Sequence, residues 1–271
     1  MNRLKIASFE LGDSITKEQF DFFSENGAIV FRNFLSPQEV AAAIGEVTAI
    51  EQQWLAAGTE KINGVPLKFG KDLEGNKMIQ RLCFLSLHSA FLHALLQRKQ
   101  LTALTALLHP YDGRIAENEK DGLVLNHYLR HPGSAFTQMG WHTDSPRDLF
   151  LGQKIMPMLN VGIHLDNCPA DNGGLRILPG THKQGILKLL FAKKYFIDNN
   201  PDPREVGFDI SAGDLTVHDG RLWHRAQQSP HFGEASRRRV LYVPVVTGKY
   251  MPKDERSKTP FYHRFASKVQ N

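Results

Sequence analysis

The chain has 271 residues, a formal charge of +5, 41% apolar residues and 23% charged residues. That balance is ordinary for a globular protein with enough apolar material to bury a core. No apolar run approaches the ~20 residues that span a bilayer, and the two cysteines, Cys83 and Cys168, have no Cys-x-x-Cys partner, which excludes a disulfide framework.

The mild basic excess does not concentrate into a nucleic-acid arm. Its densest run, Arg237-Arg238-Arg239, leads into an apolar segment without interleaved aromatics. Anionic small substrates account for the charge equally well. Met1–Lys5 is not followed by an apolar core and a cleavage site, so we expect no secretory leader and a cytoplasmic protein.

Thr16 and Gln19 predict a capping box at the start of a helix through Phe20, Phe22 and Phe23, and Asn26-Gly27 predicts its end. Ala28–Phe31 reads as a strand. Ser36, Pro37 and Glu39 predict a second helix start, and Val40, Ile44, Val47 and Trp54 follow at helical spacing. Gly58 to Gly75 is polar and glycine-bearing, with short strand-like pieces. Leucines from Leu87 to Leu108 predict one or two helices stopped by Pro110.

From about Gly122 the apolar period changes to strands and turns. Strands are expected at Leu123–Leu129, around His142 and Asp144, at Met158–Leu165, Leu175–Leu178, Phe208–Ile210, Leu215–Val217 and Val240–Val246. Turns are expected at His131–Ser134, Asp171–Gly174 and Gly213-Asp214, and a helix from Gly185 to Phe196. Many short strands with regular turns predict a closed or two-sheet β architecture. One domain is expected over 1–271, with a helical part (about 1–121) packed on the outside of a β core (about 122–250).

Gly140-Trp141-His142-Thr143-Asp144 is the stretch that carries chemistry. Side chains two apart on a strand share a face, so His142 and Asp144 point one imidazole and one carboxylate at a common spot. A second His from a distant strand would complete the two-His, one-carboxylate facial set of non-haem iron oxygenases. His224 is the best candidate; His164, His182, His218 and His231 compete, with His218 the most serious rival. Trp141 and Trp223 each precede a proposed ligand. A 2-oxoglutarate cosubstrate would need a cation for its far carboxylate, and arginine's planar fork suits it. Strand alternation favours Arg238, whose face carries Val240, Tyr242 and Pro244; Arg237 and Arg239 remain alternatives.

With these motifs in place the sequence resembles the phytanoyl-CoA dioxygenase family of Fe(II)/2-oxoglutarate oxygenases. The resemblance rests on Phe22 to Ser36, Gly140–Asp144, Asp171-Asn172-Gly173-Gly174-Leu175 with Pro179-Gly180-Thr181-His182, Ala212-Gly213-Asp214, His224 and Arg238–Leu241. It implies a mainly β fold with flanking helices, built on a double-stranded β-helix (jelly-roll, cupin-like) core. It implies His142, Asp144 and His224 as iron ligands, Arg238 on 2-oxoglutarate, O2 as oxidant and a structural His182. Asn126, on the strand that usually adds a polar group near the cosubstrate, is a further candidate. The implied activity is hydroxylation of a small molecule with release of succinate and CO2; the alternative is a non-catalytic jelly roll that binds a ligand or partner. Asp144 argues against the halogenating branch, which has a small residue there. Two departures stand out: Ala226 where the family often has Ser or Thr, and a long turn at Asp166–Asp171.

Overall fold

The computed structural model describes residues 8–132, 134, 136–144 and 154–259. Met1–Lys5 and Gly133 of the expected turn lie outside the described residues.

Local sequence sets the amino-terminal elements. β1 (Ser8–Phe9) pairs in parallel with β2 (Ala28–Phe31), and α1 (Lys17–Asn26) lies between them. Thr16 and Gln19 form the reciprocal capping box, and Gly27 closes α1 in the left-handed conformation at φ 75. Ser36 and Glu39 do the same for α2 (Pro37–Ala56). Val40, Val47 and Trp54 of α2 are buried, as their spacing requires. The polar stretch that follows carries β3 (Lys61–Ile62), β4 (Val65–Pro66) and β5 (Lys68–Lys71). β6 (Lys77–Leu82) has no clear sequence signal, because its face alternation is broken by a buried Gln80. The leucine-rich region is α3 (Ala90–Leu96) and α4 (Lys99–Ala103), preceded and followed by 3₁₀ turns.

The remaining strands are β7 (Arg114–Ile115), β8 (Val124–Tyr128), β9 (Met139–His142), β10 (Met158–His164), β11 (Gly174–Ile177), β12 (Val206–Gly207), β13 (Leu215–Asp219), β14 (His224–Gln227) and β15 (Arg238–Val246). They divide between two sheets. The large one has the order β1-β2-β13-β10-β15-β8-β6-β5, with β7 on the far end of β15; the small one has the order β12-β11-β14-β9. Strands β8 to β15 cross between the sheets, so neighbours in each sheet come from distant parts of the chain. This is the double-stranded β-helix. The amino-terminal region adds strands to the large sheet at both edges, as well as helices on its outer face.

The outer face of the large sheet packs on those helices. Leu159, Val161 and Ile163 of β10 and Leu241, Val243 and Val245 of β15 share one core with Val47, Trp54 and Leu92. The opposite residues of the same strands then face the space between the sheets. Two expectations need correction. The helix from Gly185 ends early: α5 is only Ile186–Phe191, and Tyr195 and Phe196 turn back, with Phe196 at φ 62. Phe208–Ile210 is not a strand; β12 precedes it and Ile210 makes a single bridge to Cys168. Both reflect pairing with strand edges that local periodicity does not report.

Asp214 and His182 tie the amino-terminal region to the β core. Buried Asp214 accepts from the Asn33 backbone N–H (3.1 Å) and from Arg32 Nη1 (2.5 Å). His182 donates to the Ser24 carbonyl (3.1 Å), and a Cβ on Gly27 would lie 2.3 Å from its Nδ1. Gly27→Ala therefore combines a left-handed non-glycine residue with a clash. We expect it to cost about 2 kcal/mol or more, read as a lowered thermal midpoint with the metal affinity of the folded fraction unchanged. An unshifted midpoint would show that the His182 contact does not constrain the helix end.

Candidate metal centre

β9 and β14 are antiparallel neighbours in the small sheet, and His142 and His224 are register partners. Their rings lie 4.1 Å apart between centroids. Each imidazole is oriented by the same local device: Nδ1 donates to the carbonyl two residues earlier, Gly140 for His142 (2.8 Å) and Leu222 for His224 (2.9 Å). That leaves Nε2 of both as the lone-pair nitrogen a metal requires.

Asp144 completes the group, though not by strand alternation. β9 ends at His142, and the Asp144 backbone N–H donates instead to Gly220 in the β13–β14 turn (2.8 Å). Its Oδ2 stands 3.6 Å from His224 Nε2 and accepts a bond from Asn160 Nδ2 of β10. One ligand atom from each of His142, Asp144 and His224 lies within 4.8 Å of the others. Among the described residues this is the one cluster of three or more such donors.

The electrostatics favour a cation. Burial, then the neighbouring His224, pushes His142 down to about 3, so its ring is neutral. Burial alone would raise Asp144, but His224, His142, His218 and Lys120 together hold it below the usual carboxylate range. Two imidazoles and one carboxylate are the donor set the sequence suggested. Trp141 and Trp223 are buried behind it, and Phe196 stacks on His142 at 4.7 Å. The turned-back segment thus shields the small-sheet side: Tyr195 Oη is 2.6 Å from Thr143 Oγ1 and its ring is 4.7 Å from that of Trp223.

The other histidines separate clearly. His164 bonds to Thr216 (3.1 Å) and His182 to α1. His218 is the near neighbour, its ring 4.3 Å from His224, but it is not in the donor cluster.

A cavity opens from this cluster along the inner face of the large sheet. Arg238, Val240, Tyr242 and Pro244, the alternating set of β15, line it together with Arg239. The three arginines differ in their partners. Arg237 pairs with Glu234 and Arg239 with Asp166. Arg238 is 4% exposed; its Nη1 donates to the Gln227 carbonyl (3.0 Å) and its guanidinium lies 5.2 Å from the Tyr128 ring. Among the described residues its Nε has no hydrogen-bond partner and no carboxylate pairs with it. Asn126 also lines the cavity, with Oδ1 buried and unpartnered. Ala226 contributes no hydroxyl there. Sequence reasoning did not find Asn160 or Tyr128. Both become site residues through strand pairing, Tyr128 as the register partner of Arg238 and Asn160 by its bond to Asp144.

Anaerobic titration with Fe(II) tests the donor set. Asn160→Ala removes the bond that orients Asp144 and should lower affinity by about 10- to 100-fold. His142→Ala, Asp144→Ala and His224→Ala should each cost more, with thermal midpoints near wild type. Retained affinity in His224→Ala with loss in His218→Ala would move the third ligand to β13.

The phytanoyl-CoA dioxygenase family profile matches residues 23–238. No curated protein sequence matches the chain. Among solved structures, the alpha-ketoglutarate-dependent carbocyclase SnoK from nogalamycin biosynthesis is similar with a TM-score of 0.63 at 15% identity, over 97% of this chain and 94% of its own. The epimerase SnoN, in complex with Fe3+, alpha-ketoglutarate and nogalamycin RO, gives 0.60 at 16% identity over 91% and 88%. HygX from Streptomyces hygroscopicus, with nickel and 2-oxoglutarate bound, gives 0.58 at 15% over 86% and 87%. At such identities the structural likeness speaks to fold. The family profile spans most of the length, and the chain belongs to the phytanoyl-CoA dioxygenase family.

Proposed function

We propose that the protein is an Fe(II)- and 2-oxoglutarate-dependent dioxygenase that hydroxylates a small-molecule substrate in the cytoplasm. The observation that carries this reading is Arg238: a buried cation with an unpartnered Nε, facing the same cavity as the His142, Asp144 and His224 donors. A buried guanidinium without a carboxylate is costly unless a ligand supplies one. The far carboxylate of 2-oxoglutarate does so, and Asn126 offers a further polar atom along the cavity. The relatives with iron or nickel and 2-oxoglutarate bound support the same pairing.

His142, Asp144 and His224 would hold the iron. With O2 and 2-oxoglutarate, the bound metal supplies the oxidising power, and succinate and CO2 are the coproducts. The chain's own residues do the positioning. Arg238 orients the cosubstrate, Asn160 holds Asp144, and Trp141, Trp223 and Phe196 keep bulk water from the donors on the small-sheet side.

Lys120 supports an anionic substrate. It is buried in the cavity wall, 3.1 Å from Met158 Sδ and 4.7 Å from the Tyr250 ring. Its charge is among those acting on Asp144. No helix among the described residues is long and apolar enough to cross a membrane.

The decisive experiment is 2-oxoglutarate turnover against a metabolite library, with succinate and oxidised product measured together. We expect acids to stimulate turnover more than neutral compounds, and Lys120→Gln to remove that preference. Oxidation without stoichiometric succinate would overturn the cosubstrate assignment. Truncating one partner of a desolvated charge pair costs about 2–5 kcal/mol. Arg238→Ala should therefore raise the KM for 2-oxoglutarate by roughly 30-fold or more, and Arg238→Lys by less, since charge remains and the fork is lost. Arg237→Ala and Arg239→Ala should leave that KM near wild type.

A further inference from the structure

His218 is the buried polar group that the reading above leaves without work. The described residues bury six imidazoles: His127, His142, His164, His182, His218 and His224. Five engage a ring nitrogen, with Arg237, the Gly140 carbonyl, Thr216, the Ser24 carbonyl and the Leu222 carbonyl respectively. His218 is 1% exposed, and neither Nδ1 nor Nε2 has a hydrogen-bond partner among the described residues. A neutral imidazole carries one N–H donor and one acceptor, and leaving both unpaired out of water is unfavourable unless a ligand meets them. The ring also lines the cavity.

Its place on the large sheet narrows the ligand. Across the inner face, His218 of β13 is the register partner of Asn160 of β10, which pairs in turn with Pro244 of β15. Six residues back along β15 is Arg238, the register partner of Tyr128. The metal donors meet the first of these rows: Asn160 donates to Asp144, and His218 lies beside His224. His218 therefore stands at the metal end of the floor and Arg238 at the other. A 2-oxoacid whose far carboxylate rests on Arg238 brings its oxoacid end to the metal end. That end offers only acceptor oxygens, and an N–H donor is their complement. The Asn160 amide already donates to Asp144.

We propose that His218 donates a hydrogen bond to the metal-chelating carboxylate of the 2-oxoacid cosubstrate, as a second anchor opposite Arg238. This rests on the cosubstrate reading above. It explains why an imidazole stands at this position with no hydrogen-bond partner among the described residues.

The test is equilibrium binding without O2. Fe(II)-loaded protein is titrated with 2-oxoglutarate, and with oxalate, which reproduces the chelating end and lacks the far carboxylate. The visible chelate band and isothermal calorimetry are the readouts. His218→Phe should weaken both ligands by about tenfold or more, the loss of a hydrogen bond to a charged group, with Fe(II) affinity unchanged. His218→Gln, which retains a donor, should recover part of the loss. Arg238→Ala should weaken 2-oxoglutarate and spare oxalate. If the Phe variant fails to fold, His218→Leu serves as the same comparison. Wild-type affinity for both ligands in the apolar variants would overturn the proposal. A loss confined to 2-oxoglutarate with oxalate spared would also overturn it, by moving the contact to the far end. Absence of any chelate in the wild-type protein would instead bring down the cosubstrate reading on which it stands.

Discussion

The pairing of β9 with β14 is the constraint on which the site depends. It sets His142 and His224 across from one another, and each ring is then fixed by a bond to the carbonyl two residues before it. Neither strand offers the third donor. Asp144 lies just past the end of β9, held by its amide to the β13–β14 turn and by its carboxylate to Asn160 of the other sheet. The donor set is thus a joint product of two sheets. A shift of one residue in the β9–β14 register would turn His142 or His224 to the outer face.

The large sheet forms the floor of the cavity. Its outer face is aliphatic because helices cover it, and the inner face carries the chemistry. The three consecutive arginines show how burial and pairing divide labour. Arg237 and Arg239 have acidic partners in Glu234 and Asp166, whereas Arg238 faces the cavity over Tyr128. Charge alone does not distinguish these three residues; alternation and the placement of acids do. The same floor carries His218 and Asn160 beside the His142, Asp144 and His224 cluster.

The amino-terminal region stabilises the core from outside. Asp214 accepts bonds from Arg32 and Asn33, and the Gly213 carbonyl accepts from Leu35 (2.9 Å). His182 lies over Gly27, where only a glycine leaves room. These contacts give a physical reason for motifs that carry no chemistry: they join β2, α1 and α2 to strands that hold the site. Arg225, next to the candidate ligand His224, is buried against Glu205 and 5.3 Å from the Trp141 ring, which braces β14 from behind.

Much of this was legible in the amino-acid sequence. The two capping boxes, the Gly27 stop and the alternation along β15 all follow from short-range rules, because caps, turns and alternation depend on a few adjacent residues, and the His142 to Asp144 stretch stood out by its residue types. The jelly-roll class followed from strand spacing together with the family motifs. What lay beyond it were properties of pairing between distant strands. β6 is a strand because β5 and β8 take its hydrogen bonds, despite its buried Gln80. Tyr195 and Phe196 leave a helical pattern because the backbone of Phe196 donates to Trp141 (2.9 Å). His218 and Asn160 become neighbours of the metal donors only when β13 aligns with β10. Sequence alone therefore singled out the residue types of the candidate site. Tertiary structure decided which of them face one another, because hydrogen-bond register between strands far apart in the chain is set by the whole sheet and not by any local run.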